Sequence, residues 1–204
     1  MSCRQWACKS IRWRFMLLIF PILGLIGCGK PFDVKPRTTV QPMPTANYAA
    51  TVEASGLTLS SELIKDEDYL YDTFGGNLIL AGILPVRVKL QNAGAEKIDV
   101  KDAIFTLLDT SNRAFKMMDA EKAYKHLKKY YSIKLYNKSG NNEAKKDFSS
   151  YELDRKKPLN SNEIREGLLF FQVPNDVIKA GNFRLLVKKM SNTRSDSPRE
   201  LQLK

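Results

Sequence analysis

Val86, Val88 and Leu90 are apolar and alternate with Arg87, Lys89 and Gln91. A side-chain period of two sends one set to each face of an extended strand, so this segment is expected to divide a core from a polar surface. The pattern constrains the chain because it recurs. Asn92-Ala93-Gly94 supplies a turn, and Ile98 and Val100 lead into the more continuously apolar strand Ala103–Asp109. Asp109-Thr110-Ser111-Asn112 reads as a second turn, with Arg113–Met117 as a hairpin return. Gly167–Val173 runs into Pro174-Asn175-Asp176, and Phe183, Leu185 and Val187 alternate with Arg184 and Lys188. Ala49–Leu59 reads as the first strand, and Glu200–Lys204 as either a last strand or a frayed tail. Six to eight short strands joined by turns predict an antiparallel sandwich.

Two stretches depart from that period. Leu63–Phe74 reads as a short helix ending at Gly75-Gly76. Asp119–Leu135 is the firmer helix: Asp119 can cap it, and Ala120, Ala123, Tyr124, Leu127 and Tyr131 recur at helical spacing. From Tyr136 to Asn162 the chain is long and polar, with Ser139-Gly140-Asn141-Asn142 expected to be its most flexible point.

Three segments carry a resemblance. FGGNLILAGILPVRVKLQNAG, EIREGLLFFQVPNDV and the closing FRLLV are similar to immunoglobulin-like β-sandwich domains of uncharacterised bacterial lipoproteins and other exported proteins. The resemblance spans roughly residues 50–204 and implies a mainly β, antiparallel, immunoglobulin-like sandwich with one inserted helix near 119–135. It implies a setting but no catalytic residue.

The N-terminus fits that setting. Arg4, Lys9, Arg12 and Arg14 precede an uncharged apolar run from Phe15 to Gly27. The run is about 13 residues and contains Pro21, whereas a membrane-spanning helix takes roughly 20. This is the layout of a secretory leader. Leu25-Ile26-Gly27-Cys28 resembles a bacterial lipobox, which implies cleavage before Cys28 and acylation of that cysteine with palmitate-type chains. One acyl chain binds a membrane only marginally and two or three bind it stably. Gly29, where an aspartate often signals inner-membrane retention, leans the expectation towards the outer membrane facing the periplasm in a Gram-negative cell. The other cysteines, Cys3 and Cys8, fall inside the leader, so the remaining chain has no thiol to pair. The expected organisation is a leader over 1–27, a lipidated cysteine and proline-spaced tether over 28–47, and a sandwich domain over 48–204. Prolines at 31, 36, 42 and 44 favour extended conformers that could reach roughly 60 Å.

Chemistry is sparse. His126 is the single histidine, expected as a solvated side chain beside the apolar face of the helix. Without a second histidine or a remaining thiol there is no His/Cys zinc cluster, and no G-x-S-x-G, P-loop or dinucleotide fingerprint occurs. No cofactor, metal or nucleic-acid partner is expected. Asp66-Glu67-Asp68 with Asp72 reads as a solvated helix start, acids favouring the positive end of the helix dipole. The alternative is an envelope hydrolase using this 66–72 cluster, which requires the carboxylates to converge in a pocket. The chain holds 33 basic against 22 acidic residues. Lys122, Lys125, Lys128 and Lys129 fall on the 119–135 helix among Tyr124, Tyr130 and Tyr131, with Lys145-Lys146, Arg155-Lys156-Lys157 and Lys188-Lys189 further on. Two readings compete: a basic surface for anionic lipid or cell-wall polymer, and a solvated face whose Tyr124, Leu127 and Tyr131 pack on the domain. The expected function is a lipid-anchored, non-enzymatic binding or structural module of the cell envelope that presents its β-sandwich to an envelope partner: anionic lipid, cell-wall polymer or an unidentified envelope protein.

Overall fold

The structure, a computed structural model, describes residues 32–38, 48, 50–54, 56–134, 137–190 and 199–203. The leader 1–27, the Leu25–Cys28 motif and most of the tether lie outside the described residues. The strands are β1 (Ala50–Ala54), β2 (Leu57–Leu63), β3 (Ile83–Asn92), β4 (Ile104–Asp109), β5 (Ala114–Met118), β6 (Ile164–Gln172), β7 (Phe183–Lys188) and β8 (Arg199–Leu203). The helices are α1 (Glu67–Phe74), α2 (Ala120–Tyr130), α3 (Lys138–Ser150) and α4 (Asn175–Ala180).

All eight strands form one antiparallel sheet in the order β1-β2-β3-β6-β5-β4-β7-β8. At the far edge β8 packs back against β1 and β2 without ladder bonds, so the sheet curls into a nearly closed barrel. This overturns the immunoglobulin-like sandwich. The two halves, β1-β2-β3-β6 and β5-β4-β7-β8, would be the layers of a sandwich if separate. They are joined because β5 changes partner along its length. Thr106, Leu107 and Leu108 of β4 pair with Lys116, Phe115 and Ala114, after which Met117 and Met118 pair with Phe171 and Phe170 of β6.

The register explains the strand patterns. Leu59, Leu90, Val88, Val86, Leu169, Phe171, Phe115, Leu107, Leu185 and Leu201 fall on one face through successive cross-strand pairs, and all are buried. That face is the barrel interior. The opposite face differs between the halves. On β4, β5, β7 and β8 it meets solvent at Ile104, Lys116, Lys188 and Gln202. On β3 and β6 it is covered, so Arg87 is 2% exposed and Leu168 and Phe170 are fully buried. The alternation at Val86–Gln91 therefore marks a half-buried strand only at Lys89 and Gln91, whereas Arg87 is buried with its neighbours. Arg87 survives burial because its Nη1 meets Glu62 Oε1 across the β2–β3 ladder at 2.6 Å, with Glu166 at 3.7 Å from Nε.

The cover is helical. Phe74 of α1, Phe148 of α3 and Phe170 stack at 5.0–6.3 Å between ring centres, and Tyr124 of α2 closes on Phe148 at 5.7 Å. Among the described residues there are four helices, where the sequence predicts a short helix over Leu63–Phe74 and one inserted helix near 119–135. α2 starts and caps as the sequence implies, Asp119 Oδ1 accepting the Lys122 N–H at 2.7 Å. α3 occupies the stretch expected to be most flexible. It is capped by Asn137, whose Oδ1 accepts the N–H groups of Ser139 and Gly140, and Phe148 is its one buried residue. The single first strand at Ala49–Leu59 is instead a hairpin, β1 and β2 turning at Gly56 with φ 77.

Part of the expected tether is folded. Lys35 N–H donates to Thr73 O, Tyr151 hydroxyl to Lys35 O, and Arg37 to the carbonyls of Ser150 and Glu166. Val34 is 2% exposed. A Cβ at Gly75 would stand 2.8 Å from Asp33 N, so the left-handed glycine that ends α1 also lets this strap close.

Candidate functional site

α2 and α3 lie side by side, and their lysines meet between them. Lys125, Lys128 and Lys145 line a groove of about 300 Å³ with Tyr124, Asn141 and Asn142. Helical spacing explains the α2 contribution: Tyr124 and Leu127 face the core, which turns Lys125 and Lys128 to the flank that α3 borders. Phe148 seats α3 and so brings Lys145 and Asn141 to the same place.

The floor is fixed by hydrogen bonds. Lys128 Nζ donates to Asn141 Oδ1 at 2.6 Å and stands 5.4 Å over the Tyr124 ring. The Tyr124 hydroxyl donates to the same Oδ1 at 3.1 Å. Burial pushes that phenol above its ordinary range, so it remains a donor. On the rim, Glu121 Oε1 meets Lys125 Nζ at 2.8 Å and Lys145 Nζ at 2.9 Å. Hydrogen bonds from these two ammonium groups hold the Glu121 carboxyl below the usual carboxylate range. Three cations thus face one carboxylate, and the groove keeps a positive excess that suits a phosphate or carboxylate oxygen.

The sequence singles out Lys122, Lys125, Lys128 and Lys129, and the structure divides them. Lys125 and Lys128 line the groove. Lys122 pairs with Asp119 at 2.9 Å, and Lys129 is solvent-exposed and does not line the groove. Lys145 joins them, although its place on a helix was not legible, and Asn141 has no signal in sequence at all. The solvated-face reading is right about packing, since Tyr124 and Leu127 are buried in the core.

The remaining candidates disperse. Asp66 caps α1, its Oδ1 accepting the Tyr69 N–H at 2.9 Å, and Glu67 accepts from Asn77 Nδ2 at 2.5 Å. Asp66, Glu67, Asp68 and Asp72 are all exposed along α1, and none of them lines a cavity among the described residues. Among the described residues no group of three or more His, Cys, Asp or Glu side chains is placed to hold a metal ion. His126 is not a solvated side chain: its Nε2 lies 2.9 Å from Ala81 O. A carbonyl only accepts, so the proton sits on Nε2 and the ring ties α2 to the loop before β3. Among the described residues no helix is long and apolar enough to cross a membrane.

Comparison with known proteins adds little. No family model matches the chain, and no curated protein matches it. A solved structure of a conserved hypothetical protein from Bacillus anthracis aligns over 76% of this chain and 93% of its own, at 12% identity and a TM-score of 0.37. The exported-lipoprotein sandwich resemblance therefore has neither a matching family nor the matching architecture, and is withdrawn as a description of the fold.

Proposed function

We propose that this protein is a non-enzymatic binding module of the cell envelope, and that the groove between α2 and α3 takes a phosphate-bearing anionic partner. The observation that carries this is the convergence of Lys125, Lys128 and Lys145, from two helices, over a floor ordered by Tyr124 and Asn141. Each lysine brought near an anionic lipid surface contributes about 1 kcal/mol, so three supply about 3 kcal/mol, or roughly 100-fold in affinity. The dispersed acidic cluster supports binding over hydrolysis, because Asp66 and Glu67 are engaged in capping and in holding Asn77. The envelope setting rests on sequence alone: the basic segment, the apolar run and Cys28 as the point of acyl attachment.

The test is cosedimentation with vesicles of phosphatidylglycerol and phosphatidylcholine, alongside titration with soluble polyglycerol phosphate. The triple variant Lys125→Gln, Lys128→Gln, Lys145→Gln should lose roughly 100-fold in binding to the anionic vesicles at low salt. Loss on vesicles alone assigns the partner to lipid, and loss on the soluble polymer assigns it to a wall polymer. Unchanged binding to both refutes the groove. Separately, Cys28→Ala should release the protein from membranes and abolish fatty-acid labelling; retention of both would end the anchor reading.

A further inference from the structure

The barrel wall has a breach between β4 and β5. β4 and β5 pair only from Leu108↔Ala114 to Thr106↔Lys116. Beyond that point β5 leaves for β6, and the start of β4 is left without it. The strands part around a cleft of about 360 Å³, lined by Ile104, Phe105, Phe115, Lys116, Met117 and Arg155 among others. That volume lies within the range of small-molecule sites. Phe105 and Phe115 belong to the barrel interior, so the cleft reaches past the wall to core side chains. Ile104 at its mouth is 44% exposed and so is open to a ligand entering from solvent.

Two cationic side chains, Arg155 and Lys116, border this apolar lining, and Arg155 is the one with an unmet donor. Arg155 follows the short segment in which Leu153 N–H donates to Leu168 O, so its backbone is held against β6. Its guanidinium lies 6.0 Å from the centre of the Phe105 ring. Nη1 makes one long hydrogen bond to Ala103 O, at 3.4 Å, and Nε is buried with no acceptor. A cationic donor left unmet in this way is costly, and the planar guanidinium, with Nε unmet and Nη1 only weakly engaged, presents a fork that matches a carboxylate. Lys116 adds a second cation to the lining, and none of the residues lining the cleft is acidic. On the other side of Arg155 lies a separate polar hollow of about 270 Å³, to which Glu152, Asp154 and Lys156 belong. The guanidinium therefore stands at the boundary between a polar hollow and an apolar cleft.

The geometry points to a second ligand site in this breach, for a monocarboxylate with an apolar chain: the carboxylate on Arg155, the chain along Ile104, Phe105 and Met117. This site is independent of the lysine groove, whose partner is polar and phosphate-bearing. An apolar chain would fill the opened seam against Ile104, and a carboxylate would meet the guanidinium whose Nε has no acceptor.

Octanoate serves as the probe, with octylammonium as its charge-reversed counterpart. Full-length protein with labelled methyl groups is titrated with each and followed by NMR. The expected result is saturable shifts at the Ile104 and Met117 methyls with octanoate and none with octylammonium. Arg155→Met should weaken octanoate at least tenfold. Arg155→Lys keeps the charge and the stem but lacks the fork, and should weaken it comparably; it provides the reading if the methionine variant folds poorly. Equal response to both probes, shifts that do not saturate, or an octanoate affinity unchanged in Arg155→Lys would overturn the assignment.

Discussion

Phe148→Ala tests whether the outer face of β3 and β6 is a second core. Phe148 is fully buried, with Phe74, Phe170 and Tyr124 at 5.0, 5.2 and 5.7 Å between ring centres. Emptying such a site costs about 3–5 kcal/mol when the surroundings stay in place. α3 has an escape, because Phe148 is its one buried residue and the helix can detach instead of spanning a cavity. Detachment limits the loss to what docking supplies, about 1.5–3 kcal/mol of burial with about 0.5–1.5 for a ring pair. The expected loss is therefore about 3 kcal/mol, a fall in melting temperature of about 6–12 °C for a domain of this size. Urea unfolding followed by circular dichroism gives the total. Amide hydrogen exchange gives its location: protection should vanish over 138–150 while β3 and β6 keep theirs. A loss below about 1 kcal/mol, or exchange raised evenly across the sheet, would refute a helix latched by one ring.

Three further outcomes follow from named contacts. Gly167→Ala should destabilise by at least about 1–3 kcal/mol in the same urea assay, since a Cβ there would stand 2.4 Å from the Leu153 backbone. Glu121→Gln should strengthen binding to anionic vesicles by about 2- to 5-fold, the effect of removing one surface carboxylate from the groove. Burial raises the Glu152 carboxyl above the usual carboxylate range, against a lowering hydrogen bond from the Ala120 N–H. A raised folded value means the folded state binds the proton more tightly than the unfolded chain. Stability tied to Glu152 therefore grows as pH falls through the raised value and is complete below the unfolded one, about 4.3. Glu152→Gln should accordingly match or exceed the wild type in stability at pH 7, and the difference should close in acid.

Most of the strands were legible because period two survives any arrangement in which one face is buried. The alternations at Val86–Leu90 and Phe183–Val187 locate β3 and β7, and Asp109–Asn112 locates the β4–β5 turn. Sandwich and barrel share that signal. What separates them is the partner exchange of Met117 and Met118, two residues whose side chains carry no instruction about which edge they bond. α3 was hidden because its one buried residue is a single phenylalanine and its first five residues include Gly140, Asn141 and Asn142. Its stability comes from Asn137 and from rings on three other elements, which are distant in sequence. The site suffers accordingly. Lys125 and Lys128 could be read from the α2 periodicity, whereas Lys145 and Asn141 reach the groove only through the docking of α3. Arg155 is one of three consecutive basic residues in sequence and is distinguished only by the seam it borders.

The central claim is that position, not net charge, makes the α2–α3 groove a binding site. The most direct measurement compares two charge-matched variants on phosphatidylglycerol vesicles at low salt. One neutralises Lys125, Lys128 and Lys145; the other neutralises Lys101, Lys179 and Lys188, which are exposed elsewhere on the domain. The account predicts that the first loses roughly 100-fold and the second only a few-fold. Equal losses in both would contradict it.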